Sequence, residues 1–369
     1  MNNKNFQTFF DCGFSKVRAS TFSKNKNDKF FYVESEFFTD YSNLESKIQK
    51  IIISLEKDTN EYIDHIDLMV DSPKMFSVGI SLFKKLDGSK LKQANVQFLV
   101  QEAKQQILKY YINCNIAHII INNYKIDGVD YSYLPDEIKC DFISLDIFFI
   151  CLPTDLVLDI KNIFSKSNIL VDQIICSSYV KSINYKDTLN LSGHACFIDV
   201  GFNKTSIISY FNDKIHYLDV LPIGGNHITK DISKILKIDL ESSEQKKRNF
   251  DQNLKLSNDE DVSIDTLQKV IFARTEEILE LCAKSIVSNS YTKSNFKMVL
   301  MGEGSKILDN KYTNKISFSN DIDFIEETLE DICQSGFKFI TGPNKQEVVV
   351  IPKKQKKQGF FEKCFHFFR

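Results

Sequence analysis

The sequence predicts an α/β fold with two lobes. Its 369 residues, 43% of them apolar, are enough to bury a large core and too many for one compact domain. In both halves of the chain, segments rich in β-branched and aromatic residues alternate with segments of helical spacing. A turn of the form Asp-x-Gly follows a predicted strand once in each half, at Asp11 and at Asp199. This repetition predicts two lobes, each a sheet flanked by helices.

The predicted elements follow one another along the chain with short connections. The strands are predicted at residues 6–10, 30–33, 118–121, 195–200, 206–210 and 297–301. The helices are predicted at residues 44–55, 95–111, 155–165, 228–236 and 267–287. The periodicity stops after about Thr341, and the Pro, Lys and Gln composition of residues 343–358 predicts a flexible linker.

The composition argues against several classes of protein. Lys+Arg 47 and Asp+Glu 49 leave a net charge of −2, so no chain-wide attraction to nucleic acid is expected. Nine scattered cysteines without a CxxC pair are typical of a reducing cytosol. The N-terminal residues carry no apolar stretch typical of a signal peptide, and no apolar run approaches the ~20 residues that cross a bilayer. We therefore expect a cytoplasmic protein that does not span the membrane.

The first Asp-x-Gly turn has the residues of a phosphate-binding loop. A tight turn at Gly13 would direct backbone N–H groups, including that of Phe14, at phosphate oxygens, together with Ser15 and Lys16. Asp11 could hold a metal ion through water. Alone, the segment is more consistent with an ordinary hairpin turn.

The second turn repeats this pattern in the other half of the chain. Asp199 and Gly201 again follow a strand, and Asn203, Lys204 and Thr205 supply polar groups before the next strand begins. Two such turns facing each other would clamp phosphate groups, with Asp199 as a second ligand of the metal ion through water.

Two further glycine turns complete the set. Gly224 and Gly225 would let the backbone approach a ligand closely just before a predicted helix. Gly302, Gly304 and Ser305 follow the predicted strand 297–301, and this turn could pass over an adenine ring. The order and spacing of all four turns are more specific than any one of them.

Together these turns resemble the superfamily of actin, DnaK-type chaperones and sugar kinases, and within it the bacterial cell-division family FtsA. The matching segments are residues 11–19, 118–120, 124–128, 222–232, 244–247 and 274–278, collinear over nearly the whole chain. The resemblance implies an actin-like two-lobed fold with a small FtsA-type 1C subdomain and a C-terminal amphipathic helix. It also implies that ATP and Mg²⁺ bind between the lobes, with Glu244 and Lys247 near the ribose and adenine. The alternative for Glu244 and Lys247 is a solvated pair on the helix surface.

The resemblance divides the chain into six parts. These are subdomain 1A at 1–80 and 154–190, subdomain 1C at 81–153, subdomain 2A at 191–226 and 296–342, subdomain 2B at 227–295, a flexible linker at 343–358 and a membrane-targeting amphipathic helix at 359–369. In the family, subdomain 2B contacts FtsZ, and Arg274 matches a family position there.

The last eleven residues predict an amphipathic helix at a membrane surface. Such a helix is about 16 Å long, so it can lie in the interface but cannot span the ~30 Å hydrocarbon core. Four lysines precede it, at 353, 354, 356 and 357, and would be attracted to anionic lipid. The membrane-contacting residues are predicted to be Phe360, Phe361, Phe365, Phe367 and Phe368, with Lys363 and Arg369. The alternative is a terminal helix packed on the body of the protein.

Several residues depart from the family pattern. Phe202 stands where the second turn usually has a small residue, Glu303 stands where the adenosine turn usually has glycine, and Ser177-Ser178 replaces a Glu-Pro pair of the connecting strand. Because no residue that positions a water molecule can be identified, we expect ATP hydrolysis to be slow or absent.

The resemblance implies a membrane adaptor of cell division. Its expected partners are the C-terminal peptide of FtsZ, further copies of itself, anionic lipid and later proteins of the division machinery, at the cytoplasmic face of the inner membrane. The alternatives are a pilus-assembly adaptor, which also carries a 1C-type domain, and a soluble ATPase or phosphotransferase. A sugar kinase would need a carboxylate base and a sugar site, and the sequence identifies neither.

Overall fold

A computed structural model describes residues 5–23, 30–38, 43–135, 138–250, 261–289, 296–307 and 322–342. The predicted linker and amphipathic helix, residues 343–369, lie outside the described residues. Within the described ranges, no helix combines the length and the apolar character needed to cross a bilayer.

The first lobe is built on a five-stranded mixed sheet. In spatial order its strands are β3 (Phe30–Glu34), β2 (Val17–Ser23), β1 (Phe6–Cys12), β4 (His65–Val70) and β9 (Leu170–Ile175). The first three strands form an antiparallel meander, and β1, β4 and β9 are parallel. Helices α1 (Leu44–Thr59) and α3 (Thr154–Lys166) bury apolar residues at helical spacing, such as Ile48, Ile52 and Leu55 of α1.

The second lobe repeats this topology. Its strands, in spatial order, are β12 (Lys214–Leu221), β11 (Thr205–Phe211), β10 (Ala195–Val200), β13 (Lys297–Met301) and β14 (Ile322–Phe324). Again an antiparallel meander is continued by parallel strands. The accompanying helices are α5 (Gly225–Leu236), α6 (Leu240–Arg248) and α7 (Asp261–Asn289), and a short 3₁₀ helix spans Glu303–Ile307. The prediction of two α/β lobes is confirmed.

A third sheet lies between β4 and α3 in the sequence. Its strands are β5 (Phe76–Lys90), β8 (Lys139–Pro153), β6 (Cys114–Ile126) and β7 (Val129–Tyr131), and α2 (Gln93–Tyr110) packs on one face. Asp127 and Gly128 close the β6–β7 hairpin with φ of 47° and 87°, the conformation that a two-residue type I′ turn requires.

Two helices connect the lobes. α4 (Ser177–Thr188) and α8 (Leu329–Thr341) pack together, and Asn184 of α4 donates to Ser335 of α8 at 3.0 Å. Ser182 of α4 bonds the hydroxyl of Tyr210 in the second sheet at 2.7 Å. One apolar cluster extends from the first sheet past α4 to the second sheet, so the lobes share a continuous core.

Each predicted strand and helix falls within an observed element of the same type, apart from Tyr111, which directly follows α2. One expectation was wrong. Ser177-Ser178 begins helix α4 instead of lying in a connecting strand, and both residues are buried.

Candidate functional site

The two Asp-x-Gly turns have the same geometry in the two lobes. In the first, between β1 and β2, the Gly13 N–H donates to the Lys16 carbonyl at 3.0 Å. In the second, between β10 and β11, the Gly201 N–H donates to the Lys204 carbonyl at 2.9 Å. A Cβ atom at either glycine would lie 3.0 or 3.1 Å from that carbonyl oxygen, so both turns are too tight for a larger residue without adjustment. The second turn keeps this form although Phe202 follows its glycine.

The start of α5 docks directly on the second turn. The Gly225 N–H donates to the Gly201 carbonyl at 3.0 Å, and a Cβ at Gly224 would approach that same oxygen to 2.4 Å. The predicted close backbone approach therefore exists, but it is made to the chain's own turn. The Asn203 side chain accepts a hydrogen bond from Asn226 at 2.8 Å, and Thr205 donates to the Ile223 carbonyl at 2.8 Å.

The fourth turn packs against the end of β10. Gly302 has a φ of +90°, and a Cβ there would lie 2.4 Å from Asp199 Oδ1. Gly304 lies over Val200, and Ser305 closes the turn by donating to the Gly302 carbonyl at 2.7 Å. Only glycine at position 302 can adopt this positive φ and also lie so close to the Asp199 carboxylate.

These turns enclose two adjoining cavities between the lobes. One cavity has a volume of about 80 Å³. Among the residues predicted to bind the nucleotide, it is lined by Asp11, Gly13, Phe14, Ser15, Asp199, Gly201, Lys204 and Gly302. A larger cavity of about 290 Å³ is lined by predicted residues Ser15, Lys16, Gly201, Gly225, Glu244, Lys247 and Gly304. Asn203, Thr205, Gly224 and Ser305 line neither cavity; their contacts support the turns.

Glu244 and Lys247 form a buried pair at the larger cavity. The Lys247 ammonium donates to Glu244 at 2.5 Å, to Thr229 at 2.8 Å and to the Gly225 carbonyl at 3.0 Å. Burial lowers the pKa of Lys247, whereas the neighbouring Lys247 lowers the pKa of Glu244 against the effect of burial. The alternative of a solvated surface pair was wrong, because both side chains are about 95% buried.

Arg18 and Glu303 join the two lobes across the cleft. The Arg18 guanidinium contacts Asp11 at 3.3 Å and Glu34 at 3.0 Å in its own lobe. It reaches Glu303 of the second lobe at 2.5 Å, and Lys16 approaches the same carboxylate at 3.5 Å. Burial would raise the pKa of Glu303, but Arg18 and Lys16 outweigh that effect and lower it.

Lys181 and Lys204 form a second group of buried ion pairs. The Lys181 ammonium lies 3.1 Å from Asp199 and 3.0 Å from Glu327. The Lys204 ammonium lies 2.8 Å from Asp71 of the first lobe and 3.9 Å from Asp199. Burial alone would raise the pKa of Asp199, but Lys181 and Lys204 lower it, whereas burial raises the pKa of Glu327. Asp71, Lys181 and Glu327 lie in no sequence motif from which they could have been identified.

The two carboxylates predicted to hold Mg²⁺ are already bound by the chain's own groups. Asp11 accepts from Arg18 and from the Ser177 hydroxyl, the latter at 2.8 Å, and Asp199 accepts from Lys181. Among the residues that the structure describes, no three acidic, histidine or cysteine side chains converge as a metal site. This donor set does not fit a magnesium ion, which prefers oxygen ligands that are free to face it.

Aromatic and cationic side chains meet where the lobes approach each other. The Phe202 ring lies edge-on to Phe37 of the first lobe, with centroids 5.4 Å apart. The Arg248 guanidinium lies 4.3 Å from the Phe37 centroid, and Lys247 lies 5.6 Å from that of Phe202. Phe202 therefore contributes a contact between the lobes.

Away from the cleft, Arg274 lies on α7 and bonds Asp231 and Glu277 at 2.6 Å each, with 26% of its side chain exposed. Asp231 lies in the middle of α5, which begins at Gly225, and pairs with Arg274. His118 is buried and accepts from the Cys176 N–H at 2.8 Å, in keeping with a structural role.

Comparison with known proteins identifies relatives over much of the chain. The family described as Cell division protein FtsA matches residues 196–334. Cell division protein FtsA of Buchnera aphidicola from Acyrthosiphon pisum is 24% identical, over 83% of this chain and 82% of its own length. The Borreliella burgdorferi protein of that name is 22% identical, over 58% of this chain and 56% of its own length. The Bacillus subtilis protein is 33% identical, over 32% of this chain and 30% of its own length.

Solved structures show the same fold. The chain is similar to the PilM-PilN type IV pilus biogenesis complex with a TM-score of 0.62 and 12% identity, over 90% of this chain and 95% of that one. It is also similar to the ethanolamine utilization protein EutJ from Carboxydothermus hydrogenoformans, with a TM-score of 0.50 and 9% identity, over 90% of each chain. The doubled sheet topology and the paired turns belong to an actin-like fold, and the sequence relatives make the chain similar to FtsA cell-division proteins.

Proposed function

We propose that this protein is a membrane adaptor of cell division that binds ATP between its lobes and tethers FtsZ filaments to the inner face of the cytoplasmic membrane. The main support for nucleotide binding is the pair of tight turns, which have the same form and face one cleft in an FtsA-like chain. We assign the three sheets to subdomains 1A, 1C and 2A in this proposal, with α5 to α7 forming most of 2B.

In this proposal the phosphates lie between the turns of Gly13 and Gly201, in the smaller cavity. The nucleoside occupies the larger cavity, whose 290 Å³ is near the lower end of the range for small-molecule sites. Glu244 and Lys247 line that cavity at the ribose and adenine, and Lys16 lies where it can reach either part.

A titration of the full-length protein with ATP, followed by calorimetry, tests the site. Lys16→Ala should weaken binding about tenfold, because it removes one charge-assisted contact from the cavity wall, worth about 1.4 kcal/mol. Lys284→Ala is the matched control, since this lysine is 73% exposed and lies outside both cavities. Equal affinity in the unmodified protein and Lys16→Ala would contradict the placement of the nucleotide.

Turnover of the bound nucleotide should be slow or absent. Asp11 and Asp199 at the smaller cavity are paired with Arg18 and Lys181, and Ser177 donates to Asp11, so these carboxylates are held by the chain and are not free to orient a water molecule. Release of inorganic phosphate at about 1 s⁻¹ or faster would contradict this expectation.

The membrane and partner parts of the proposal are supported by the sequence of residues 359–369 and by the family match. The Phe-rich segment after a Lys-rich linker favours peripheral attachment to anionic lipid, and it favours a division adaptor over a pilus adaptor. We propose further that the protein self-associates at the division site, binds the FtsZ C-terminal peptide near Arg274 and later engages other division proteins.

A further inference from the structure

The smaller cavity is surrounded by an unusual number of buried cations. Arg18, Lys181 and Lys204 all line it, and each side chain is less than a tenth exposed. They come from three separate elements: β2, α4 and the turn before β11. Burying three cations at one site is costly unless each is paired with an anion.

Each of these cations is paired with carboxylates of the chain. The three cations face five carboxylates that line the cavity, those of Asp11, Asp71, Asp199, Glu303 and Glu327, at 2.5 to 3.3 Å. Because burial raises the pKa of Glu327, the negative charge at the site is smaller than the number of carboxylates suggests. The carboxylates that a divalent cation would need at this site are already paired with side-chain cations.

The same cations are suited to phosphate oxygens. A lysine ammonium carries three donors and an arginine guanidinium carries five in a planar fork, so each can keep a carboxylate partner and still donate to a phosphate that enters the cavity. Asp11 and Asp199 flank the cavity from opposite lobes, and Arg18 and Lys181 are the groups bound to them. The side-chain cations therefore occupy the positions next to these carboxylates where a hydrated metal ion was expected.

We propose that Arg18, Lys181 and Lys204 supply the counter-charge for the phosphates in place of Mg²⁺, so that the ligand of the cleft is a metal-free nucleoside diphosphate or triphosphate. This inference rests on the proposed binding of a nucleotide between the lobes. Under this inference the ligand is the free nucleotide polyanion and not its complex with Mg²⁺.

Calorimetric titration of the full-length protein with ATP in EDTA, and again with millimolar Mg²⁺, tests the proposal directly. We expect affinity in EDTA to equal or exceed that in Mg²⁺, because complexation by Mg²⁺ removes negative charge that the three cations would otherwise contact. Affinity at least tenfold higher with Mg²⁺ would overturn this inference and leave nucleotide binding standing. Absence of binding in both conditions would overturn nucleotide binding itself, and this inference with it.

A double variant tests whether these side chains account for the binding of metal-free ATP. Lys204→Met with Asp71→Asn removes an ion pair as a unit, so no buried charge is left without a partner. Its affinity for ATP in EDTA should fall at least tenfold, and added Mg²⁺ should recover part of the loss. Lys269→Met with Asp265→Asn is the matched control, because that pair is exposed and lies outside both cavities. Undiminished affinity in a folded Lys204→Met/Asp71→Asn protein would overturn the proposal. If that variant fails to fold, the comparison of EDTA with Mg²⁺ on the unmodified protein decides it.

Discussion

Phe361→Glu should release the full-length protein from anionic liposomes into the soluble fraction. On the predicted terminal helix, Phe361 lies on the same face as Phe365 and Phe368, and this face would enter the acyl-chain boundary. Each phenylalanine fully removed from water contributes about 1.5–3 kcal/mol, of which interfacial insertion realises a part. A carboxylate in this face loses that contribution and must also be desolvated, so binding should fall by at least a hundredfold in a sedimentation assay.

The charge reversal Lys363→Glu is the matched control for this experiment. Lys363 lies on the polar face, so its replacement should weaken binding only several-fold. Raising the salt concentration should likewise reduce the attraction of the preceding lysines without abolishing attachment. Unchanged liposome binding by Phe361→Glu, or no sedimentation of the unmodified protein, would leave the soluble ATPase alternative as the better account.

Lys181→Met should lower the free energy of unfolding by about 3–5 kcal/mol. The substitution conserves the shape of the side chain but leaves Asp199 and Glu327 buried without their shared cation. Urea unfolding followed by circular dichroism measures the loss. Lys269→Met is the control, because its partner Asp265 is about half exposed and surface pairs contribute about 1 kcal/mol or less. A loss below about 1 kcal/mol in Lys181→Met would show that these ion pairs do not organise the cleft.

Local sequence was sufficient to predict the turns of the cleft. In Asp11 to Lys16 and Asp199 to Lys204, an acid and a glycine at a strand end specify a tight turn whose geometry depends on neighbouring residues alone. Gly302 was found in the same way. Contacts between residues far apart in the chain leave no such local signal: Arg18 and Glu303 are separated by 285 positions, and Lys181 and Glu327 by 146. These pairs exist because the lobes come together.

Burial was the other property that the sequence did not reveal. Glu244 and Lys247 were recognised as a helical pair, but their spacing is the same on a solvated helix and on one packed against α5. Phe202 was interpreted only as an obstacle to a close phosphate turn. In the structure the turn stays tight and the ring contacts Phe37, which no pattern in the sequence associates with it.

Sedimentation of FtsZ with anionic liposomes is the most direct test of the proposed connection between FtsZ and a membrane. FtsZ should pellet with the liposomes only when the full-length protein is present. It should stay in the supernatant when the protein is replaced by a chain that ends at Pro352, which lacks the predicted terminal helix. The account would be contradicted if the full-length protein pelleted with the liposomes while FtsZ remained in the supernatant.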